Sequence, residues 1–542
     1  MNTLTQCPPD STTVLIVGGG PTGLTAALEL SAHNIPAVLI SSHKTTAIHP
    51  KCNLTNARSM ELFRRIGIAQ ELRKNAIPNN IEKASAYVTR FCGYELGRLP
   101  RPYMDWPTPE LPNHISQIQL EKILRELCEG KQNTTINYGW RANEIKKTSE
   151  GYITQMVSSD GETCLVSSKY VIGADGASSL TRKTIGSRLI GEDGTTERAF
   201  MGGTMLSYYI KVPGLHEKSG RAPVNCTWII NPEMRGLMFS QDGADHWVAH
   251  FALPPGVKWE WMDPKAIIKD LLGCDSDFEI ISGGPWTGGL AMVADRYEKD
   301  RIALVGDAAH LFTPLGGFGM NTGIGDVVNL CWKIAALEQG WGGPTLLDTY
   351  DEERKPIGIR NSRFGIECST IMDSWQVPSN LEDKTSEAES IRKLFGAQLV
   401  REDAFQYHSS GLQLGERYRS RLIINNGETE PHDDWAVYQA SDIPGGRIPH
   451  FWVSGGVSSH DLLGLGFSLL CFGKTDQVLQ QEFKNAATKI SLPLEVIELP
   501  LTLKPAVFTT TAYLIRPDQH IAWKKGHDKI EAMEILNQVR GM

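Results

Sequence analysis

The first regular pattern of apolar positions is the run Val14-Leu15-Ile16-Val17, which is apolar on both faces of an extended chain. Such a run predicts a strand buried on both sides, as in a parallel sheet. A glycine-rich turn follows at 18–23, then apolar positions at helical spacing over residues 24–34, then a second buried run at 37–40. Strand, turn, helix and strand together predict one βαβ unit.

Helical spacing of apolar residues recurs over residues 54–75 and 116–129. Between about 186 and 290 the pattern changes to short alternating segments separated by turn residues, which predicts an antiparallel sheet. A further buried run at 302–306 leads through a glycine-rich segment into a predicted helix over 326–337. The mixture of buried strands, helices and alternating strands favours an α/β fold class.

The composition excludes several classes of protein. Lys and Arg number 54 against 62 for Asp and Glu, so the net charge is −8, and 41% of the 542 residues are hydrophobic. These values are typical of a globular chain of several domains, not of a disordered or collagen-like one. An acidic balance disfavours general binding to nucleic acid, and no apolar run approaches the length that spans a membrane. We therefore expect no nucleic-acid partner and no membrane partner.

The ten cysteines are scattered, and no two of them form a Cys-x-x-Cys pair. A zinc site or a redox dithiol therefore has no local support, and we expect no metal. We interpret the cysteines as reduced thiols of a cytoplasmic protein. The first residues have neither the basic nor the apolar segment of a signal peptide, which agrees with a cytoplasmic location. The sequence leaves open whether the chain forms a homodimer.

Gly18, Gly20 and Gly23 form a G-x-G-x-x-G pattern between a predicted strand and a predicted helix, the context that a dinucleotide-binding turn requires. The first glycine allows a tight turn, the second lets the backbone approach a pyrophosphate, and the third allows close packing of helix on strand. Amide donors at the helix N-terminus would bind the phosphates. Ser41 and Ser42 stand where an acidic residue is expected for the ribose, and a serine makes that hydrogen bond without charge assistance.

Two further segments carry a recognisable pattern: YVIGADGASSLTR at 170–182 and RIALVGDAAHLFTPLGGFGMNTGIGDVVN at 301–329. With the glycine-rich turn, they stand in the order of the three fingerprints of the group A flavoprotein monooxygenases. The sequence resembles this family of aromatic hydroxylases, and in particular its phenol-hydroxylase and polyketide-hydroxylase members, over residues 14 to about 356. The resemblance implies FAD as cofactor, NAD(P)H as reductant and O₂ as co-substrate.

The resemblance also implies a set of cofactor-binding residues. Asp307 would bind the ribityl chain, and the backbone of the 316–321 loop would approach the isoalloxazine ring, which glycine allows. Asp175 and Gly176 would serve both FAD and NAD(P)H. The full expected set is Gly18, Gly20, Thr22, Gly23, Ser41, Ser42, Arg58, Gln117, Asp175, Gly176, Asp307, Pro314, Gly316, Gly317, Gly319, Met320 and Asn321.

The implied architecture has three units. A Rossmann-like FAD-binding domain (1–185 and 286–365) is interleaved with an antiparallel-sheet substrate-binding domain (186–285), and residues 90–115 are further candidates for that sheet. A helical connector (366–404) leads to a thioredoxin-like C-terminal domain (405–542). Cys471 is the only cysteine of the last domain, so intramolecular dithiol exchange is excluded and a structural or interface role is expected.

The implied reaction is hydroxylation of a phenolic or polyketide-like aromatic, in secondary metabolism, through a flavin C4a-hydroperoxide. Candidates for contact with the substrate are Tyr208, Tyr209 and His250. The two tyrosines are adjacent on one predicted strand, so only one of them can face a pocket. Asn53 stands near the position where phenol-hydroxylase relatives place an acid, and an amide cannot act as a general base.

Several alternatives stay open at this point. The same flavin species serves Baeyer–Villiger oxidation, epoxidation and decarboxylative hydroxylation, and the motifs do not separate NADH from NADPH. A flavin-binding carrier without catalysis is the alternative from another class of protein. The intact glycine-rich loop after Pro314 argues against such a carrier.

Overall fold

The computed structural model describes residues 7–191, 205–253, 257–286, 290–473, 477–526 and 530–542. Its α-helices are α1 (Pro21–Ala32), α2 (Ala57–Arg65), α3 (Ala69–Lys74), α4 (Gln117–Glu129), α5 (Leu180–Thr184), α6 (Leu215–Ser219), α7 (Pro264–Leu272), α8 (Phe318–Glu338), α9 (Thr349–Asp373), α10 (Ser386–Tyr407), α11 (Ser410–Leu414), α12 (Gln477–Lys489) and α13 (Ala532–Val539).

The strands, in chain order, are β1 (Ser11–Val17), β2 (Ala37–Ser41), β3 (Leu54–Thr55), β4 (Glu82–Val88), β5 (Glu95–Pro100), β6 (Asn113–His114), β7 (Thr134–Tyr138), β8 (Trp140–Lys147), β9 (Tyr152–Ser158), β10 (Thr163–Gly173), β11 (Leu189–Ile190), β12 (Met205–Lys211), β13 (Val224–Ile230), β14 (Arg235–Ser240), β15 (His246–Ala252), β16 (Glu279–Trp286), β17 (Met292–Ala294), β18 (Glu298–Lys299), β19 (Ile302–Leu304), β20 (His310–Leu311), β21 (Trp452–Ser454), β22 (Val457–Ser458), β23 (Phe467–Phe472), β24 (Leu494–Leu499), β25 (Ala512–Ile515) and β26 (Ile521–Lys524).

The first sheet has the strand order β18-β19-β10-β1-β2-β7, and the pairs from β19 to β7 are parallel. Val14, Leu15 and Ile16 of β1 are fully buried, because helices cover both faces of a parallel sheet. Helix α1 connects β1 to β2 and packs against α4 and α8. The predicted βαβ unit and the α/β fold class are thus confirmed.

A second sheet, the substrate sheet, has the order β16-β12-β15-β14-β13-β4-β5. Strands β4 and β5 join it from residues 82–100, so the chain enters this sheet earlier than the predicted stretch of 90–115. Strand β4 can join the sheet because its side chains alternate between the two faces: Ala84 and Ala86 pack on one face and Tyr87 packs on the other. The β13–β4 pair is parallel and the other pairs are antiparallel, so the sheet is mixed and not purely antiparallel.

The segment predicted as a polar connector consists of two long helices that belong to the core. Helix α9 runs through the predicted boundary at 365, and α10 runs past the predicted boundary at 404. Phe364 and Phe395, one from each helix, are buried in the same cluster as Trp228 of the substrate sheet. The two helices therefore cover one face of that sheet.

The C-terminal sheet has the order β24-β23-β25-β26. Strands β23 and β24 are parallel and joined by α12, and β25 is antiparallel to β23 and β26, which is the strand order of a thioredoxin-like domain. Cys471 lies buried on β23. Trp332 and Trp341, which belong to the FAD-domain helix α8 and the turn after it, are buried in the core of this domain and fix it to the rest of the chain.

One pair of cysteines corrects the expectation that all thiols are reduced. Cys7 and Cys164 form a disulfide across 157 residues of sequence. The parallel pairing of β1 with β10, which sets Ser11 opposite Ser167, brings these two distant cysteines together. The other eight cysteines form no disulfide. In the described part of the chain, no helix combines the length and apolarity needed to cross a membrane.

Candidate active site

A cavity of about 1100 Å³ extends from the carboxyl ends of β1, β2 and β10 to one face of the substrate sheet. Ligands of open α/β sheets bind at this end of the strands. The cavity is lined by most of the predicted cofactor residues: Gly18, Gly20, Thr22, Gly23, Ser41, Ser42, Gln117, Asp175, Gly176, Asp307, Pro314, Gly316, Gly317, Gly319 and Met320. Three segments that are far apart in sequence therefore meet at one site.

The three glycines of the first turn occupy three different environments. A Cβ on Gly18 would lie 2.0 Å from the Ala174 carbonyl oxygen, and a Cβ on Gly23 would lie 1.9 Å from the Gly18 oxygen. A Cβ on Gly20 would meet no protein atom within 4 Å. Gly20 is the N-cap of α1, no side chain caps that helix, and its first turn holds no acidic residue. Free amide donors beside open space fit a pyrophosphate.

Asp307 lies on the turn Gly306–Ala308 and borders the cavity. Its carboxylate is exposed to the cavity and accepts no hydrogen bond from any described residue, and partial desolvation by the surrounding walls raises its pKa. Gly306 has a φ of +59°, and a Cβ there would lie 2.9 Å from the Thr22 hydroxyl, so the turn packs directly on the first glycine-rich turn. A carboxylate with free lone pairs, facing a cavity, fits the hydroxyls of a ribityl chain.

The loop from Pro314 to Met320 forms the next part of the wall. Gly316 and Gly317 have φ values of +72° and +71°, in the region that favours glycine. Gly317 is the N-cap of α8, and no side chain caps that helix. A Cβ on Gly319 would meet nothing within 4 Å, so backbone is open to the cavity here. The geometry fits the close approach of a flat ring to amide donors.

Unlike its neighbours, Asn321 has a side chain that hydrogen-bonds to the backbone around the loop and does not face the cavity. Its Oδ1 accepts the Asn56 N–H at 2.8 Å, and its Nδ2 donates to the carbonyls of Leu54 at 3.0 Å and Gly317 at 2.6 Å. Asn321 does not line the cavity. The structure thus assigns its side chain to the shape of the loop.

Asp175 and Gln117 line the cavity, but their side chains already have protein partners. The Asp175 carboxylate accepts hydrogen bonds from the hydroxyls of Ser179 and Thr181, both at 2.6 Å, at the start of helix α5. The Gln117 Oε1 accepts the Lys51 N–H at 2.7 Å. These side chains hold the loops that border the cavity.

The two serines after β2 are placed differently from each other. Ser41 is buried, and its hydroxyl accepts the His43 N–H at 3.3 Å. Ser42 is exposed at the cavity wall. A Cβ on Gly19 would lie 2.7 Å from the Ser41 Cβ, so the close approach of the first turn to β2 requires glycine at position 19.

Arg58 corrects one prediction, because it lies away from the cavity. Its guanidinium donates to the Asp518 carbonyl at 2.8 Å, to Gln519 Oε1 at 3.0 Å and to Glu61 at 2.9 Å. Arg58 is in the first turn of α2, and the interface with the C-terminal domain covers its side chain. The structure therefore places it in an interdomain contact, which sequence position alone could not reveal.

The two tyrosines predicted to contact substrate also lie elsewhere. Tyr208 stacks on Phe251 with ring centroids 5.8 Å apart, in the core on the face of the substrate sheet that is turned away from the cavity. Tyr209 points to the other face but lies toward the end of β12, beside His246 at 5.8 Å, and does not line the cavity. Neither phenol is at the site.

His250 lines the cavity, and its contact with the substrate stays a prediction. Its ring lies 5.0 Å from the Trp286 ring, and its Nδ1 is buried with no hydrogen-bond partner among the described residues. Burial lowers the pKa of His250 to about 3, and the nearby His49 acts in the same direction. The imidazole is therefore neutral at physiological pH. His49 itself is held by the hydroxyls of Ser207 at 2.8 Å and Ser282 at 2.9 Å.

Several residues of the site were missed by the sequence analysis. Three of them lie between β5 and α4, two at the end of α10 and two on strands of the substrate sheet, so only the tertiary fold brings them together at the cavity. These residues are Arg101, Tyr103, His114, Trp228, Trp286, Gln406 and Tyr407.

Comparison with known proteins agrees with this site. Residues 11–364 match the family described as FAD binding domain, and residues 441–541 match the aromatic-ring hydroxylase C-terminal family. The FAD-dependent monooxygenase apdD of Emericella nidulans is 31% identical, over 98% of this chain and 90% of the relative. Phenol 2-monooxygenase of a Pseudomonas species is 28% identical, over 95% of this chain and 90% of the relative.

A solved structure shares the whole fold. The rebeccamycin biosynthetic enzyme RebC with reduced flavin superposes with a TM-score of 0.89 at 29% identity, over 99% of this chain and 100% of that one. Taken with the glycine-rich turns, the free Asp307 carboxylate and the single cavity that they share with the substrate sheet, these similarities show that the chain belongs to the family of FAD-dependent aromatic-ring hydroxylases, which are flavoprotein monooxygenases.

Proposed function

We propose that this enzyme hydroxylates a phenolic or polyketide-like aromatic compound, which binds between the flavin site and the substrate sheet. The observation that carries the proposal is the continuity of the cavity. The same cavity that begins at Gly18 and Asp307 ends at Trp228, His250 and Trp286. An aromatic substrate in that end would lie next to a flavin held by the other end.

The cofactor would be held by groups that have no other partner. The amides at the start of α1 would bind its pyrophosphate, Asp307 its ribityl hydroxyls, and the backbone from Pro314 to Met320 its ring. When bound, FAD supplies the redox and oxygen-transfer chemistry, with NAD(P)H as reductant and O₂ as the source of oxygen. The chain itself binds, orients and shields the reactants.

The apolar walls of the cavity would shield the bound reactants from water. Helices α9 and α10 cover the face of the substrate sheet that borders the cavity, and apolar side chains from both sides, Leu237 and Leu315 among them, are buried there. Few waters can approach a ring enclosed in this way. A dry site strengthens hydrogen bonds to the substrate and protects reactive oxygen species from water.

His250 would orient the substrate without removing its proton. A phenol has a pKa of about 10, whereas burial lowers the pKa of His250 to about 3, so full proton transfer would cost on the order of 10 kcal/mol. The unpaired Nδ1 can accept or donate one hydrogen bond, according to its tautomer. We assign His250 the role of positioning a substrate hydroxyl.

The proposal is tested by oxidation of NAD(P)H with the FAD-loaded enzyme and a panel of phenols and larger aromatic phenols. The expected result is an oxidation rate that rises with one or more of these compounds and a product that carries one oxygen atom from oxygen-18 gas. The variant Asp307→Ala, which should bind FAD more weakly, is the matched control. A holoenzyme whose NAD(P)H oxidation is unchanged by every compound would contradict the proposal. The product's structure separates ring hydroxylation from Baeyer–Villiger oxidation or epoxidation.

A further inference from the structure

Two side chains at the substrate end of the cavity each have one nitrogen atom without a hydrogen-bond partner among the described residues. Arg101 and His114 both line the cavity. The Arg101 Nη1 and the His114 Nε2 are buried and make no hydrogen bond to any described residue. His114 is only 4% exposed. Buried polar groups are nearly always paired in folded proteins, so two unpaired nitrogens on one wall point to a ligand.

The hydrogen-bond network of His114 shows what its free nitrogen offers. Asn225 Oδ1 accepts the Ala84 N–H at 2.9 Å, which fixes the orientation of the Asn225 amide. The Asn225 Nδ2 therefore donates to His114 Nδ1 at 3.1 Å. Since burial and the Arg101 charge lower the pKa of His114 to about 3, the ring is neutral and its proton is on Nε2. The free nitrogen is thus a donor.

Arg101 carries a positive charge that no carboxylate balances directly. Among the described residues it makes no ion pair, its Nη2 donates to the Ser85 hydroxyl at 3.0 Å, and its guanidinium lies 3.5 Å from the centre of the Tyr407 ring. A nearby acid, Asp403, accepts hydrogen bonds from Tyr87 and Gln406 instead. A largely buried cation without an anion is costly, and a negatively charged ligand would relieve that cost.

The neighbouring side chains define the shape of this subsite. Tyr103 lies between the two donors in sequence, and its ring is stacked near His114 with centroids 6.1 Å apart. The Tyr407 hydroxyl accepts the Trp228 indole N–H at 3.3 Å. The donors are therefore framed by flat aromatic surfaces, which suit a planar aromatic acid better than a free inorganic anion.

We infer that Arg101 and His114 form a subsite for a carboxylate on the aromatic substrate, with Arg101 Nη1 and His114 Nε2 each donating to it. The inference rests on the proposed function and names the class of substrate: an aromatic acid. Arg101 is a binding residue that sets specificity and orientation, and it takes no part in the transfer of oxygen. A charge-assisted hydrogen bond of this kind typically changes affinity by about 10- to 100-fold.

The test compares a matched pair of probes, 3-hydroxy-2-naphthoate and 3-hydroxy-2-naphthamide, on the FAD-loaded enzyme. Binding is followed by the change in flavin absorbance. The wild type should bind the acid at least about 10-fold more tightly than the amide, and Arg101→Gln should abolish that preference by weakening only the acid. Arg98→Gln is the matched control, because Arg98 is on the neighbouring strand β5 but pairs with Glu82 and Glu95 away from the cavity.

The outcomes separate this inference from the proposed function. If the wild type binds acid and amide equally, or binds neither, the carboxylate subsite is wrong, even when phenols still stimulate NAD(P)H oxidation. If Arg101→Gln keeps the wild-type preference for the acid, the subsite is likewise wrong. If Arg101→Gln does not fold, Arg101→Lys replaces it, because lysine keeps the charge but not the planar guanidinium. A several-fold loss of affinity for the acid, with unchanged affinity for the amide, supports the inference. Unchanged affinity for both probes contradicts it. FAD content measured in parallel shows whether the cofactor site is intact.

Discussion

The Asp326 carboxylate accepts the backbone N–H of Gly306 at 3.2 Å, and this contact fixes the turn that presents Asp307 to the cavity. The same carboxylate accepts hydrogen bonds from His310 and Arg354, both at 2.8 Å. All three partners of Asp326 are buried. Asp326 lies on α8 and does not line the cavity. It nevertheless fixes the position of the Asp307 carboxylate, which is expected to bind the cofactor.

Removal of the Asp307 carboxylate should weaken cofactor binding without unfolding the chain. Asp307→Ala loses the free acceptor at the cavity wall, whereas Asp307→Asn keeps one acceptor oxygen and should retain part of the affinity. Loss of charge-assisted hydrogen bonds weakens binding by about 1.5–3 kcal/mol, or roughly 10- to 150-fold. FAD per chain is measured by absorbance after gel filtration, and the fold by circular dichroism. Asp105→Ala, on the exposed surface, is the control. Full FAD retention by Asp307→Ala would refute the assignment.

Stability should depend on pH through Asp403, which is fully buried against Tyr87 and Gln406. Burial raises its pKa from 3.8 to about 6, and the hydrogen bonds and the Arg101 charge only partly oppose this. Because the folded pKa lies above the unfolded one, the stabilising contribution is complete below about pH 4 and is lost as pH rises through about 6. The change amounts to about 3 kcal/mol.

The measurement is the free energy of unfolding in urea from about pH 4 to pH 8, for the wild type and Asp403→Asn. The variant lacks the titrating carboxyl, so the difference in stability between the two proteins should shift in favour of the variant as pH rises. Changes with pH that arise elsewhere in the chain cancel in that difference. A constant difference across the range would show that Asp403 does not titrate as described.

Arg58 should matter for stability and not for the cofactor. Arg58→Ala leaves Glu61 with one fewer buried partner and breaks two contacts to the C-terminal domain. Breaking a buried charged contact costs about 3–5 kcal/mol, whereas Lys74→Ala, which breaks an exposed pair with Glu71, should cost about 0.5 kcal/mol or less. Below the unfolding temperature, Arg58→Ala should bind FAD like the wild type. If Arg58→Ala lost FAD but kept the stability of the wild type, Arg58 would belong to the cofactor site, and this account would be wrong.

His250 should act as a neutral group throughout the working range of pH. With a pKa of about 3, it contributes no ionisation to kcat/KM between about pH 5 and pH 9. His250→Phe should raise KM or lower kcat by about 10-fold through one lost hydrogen bond, without changing the shape of the pH profile. Tyr208→Phe should leave both constants within about two-fold, because its ring is on the other face of the sheet. A pH limb that disappears in His250→Phe would contradict this account.

The parts of this fold that sequence predicts are those with a strong local pattern. The run at Val14 and the three glycine-rich segments identified the FAD domain, since their chemistry is carried by a few adjacent residues. The substrate end of the cavity has no such pattern: Arg101 follows a strand, His114 lies on a two-residue strand, and Tyr407 ends a helix much later in the chain. Only tertiary packing joins them. The prediction that Tyr208 contacts the substrate is wrong, because the alternation of side chains along a strand defines two faces of the sheet but does not show which face borders the cavity.

The most direct test of the account is a crystal structure of the FAD-loaded enzyme with an aromatic ligand. We expect the pyrophosphate at the amides after Gly20, the ribityl chain at Asp307, and the ligand ring between the flavin and the wall formed by Trp228, His250 and Trp286. A flavin bound elsewhere, or an aromatic ligand outside this cavity, would contradict it.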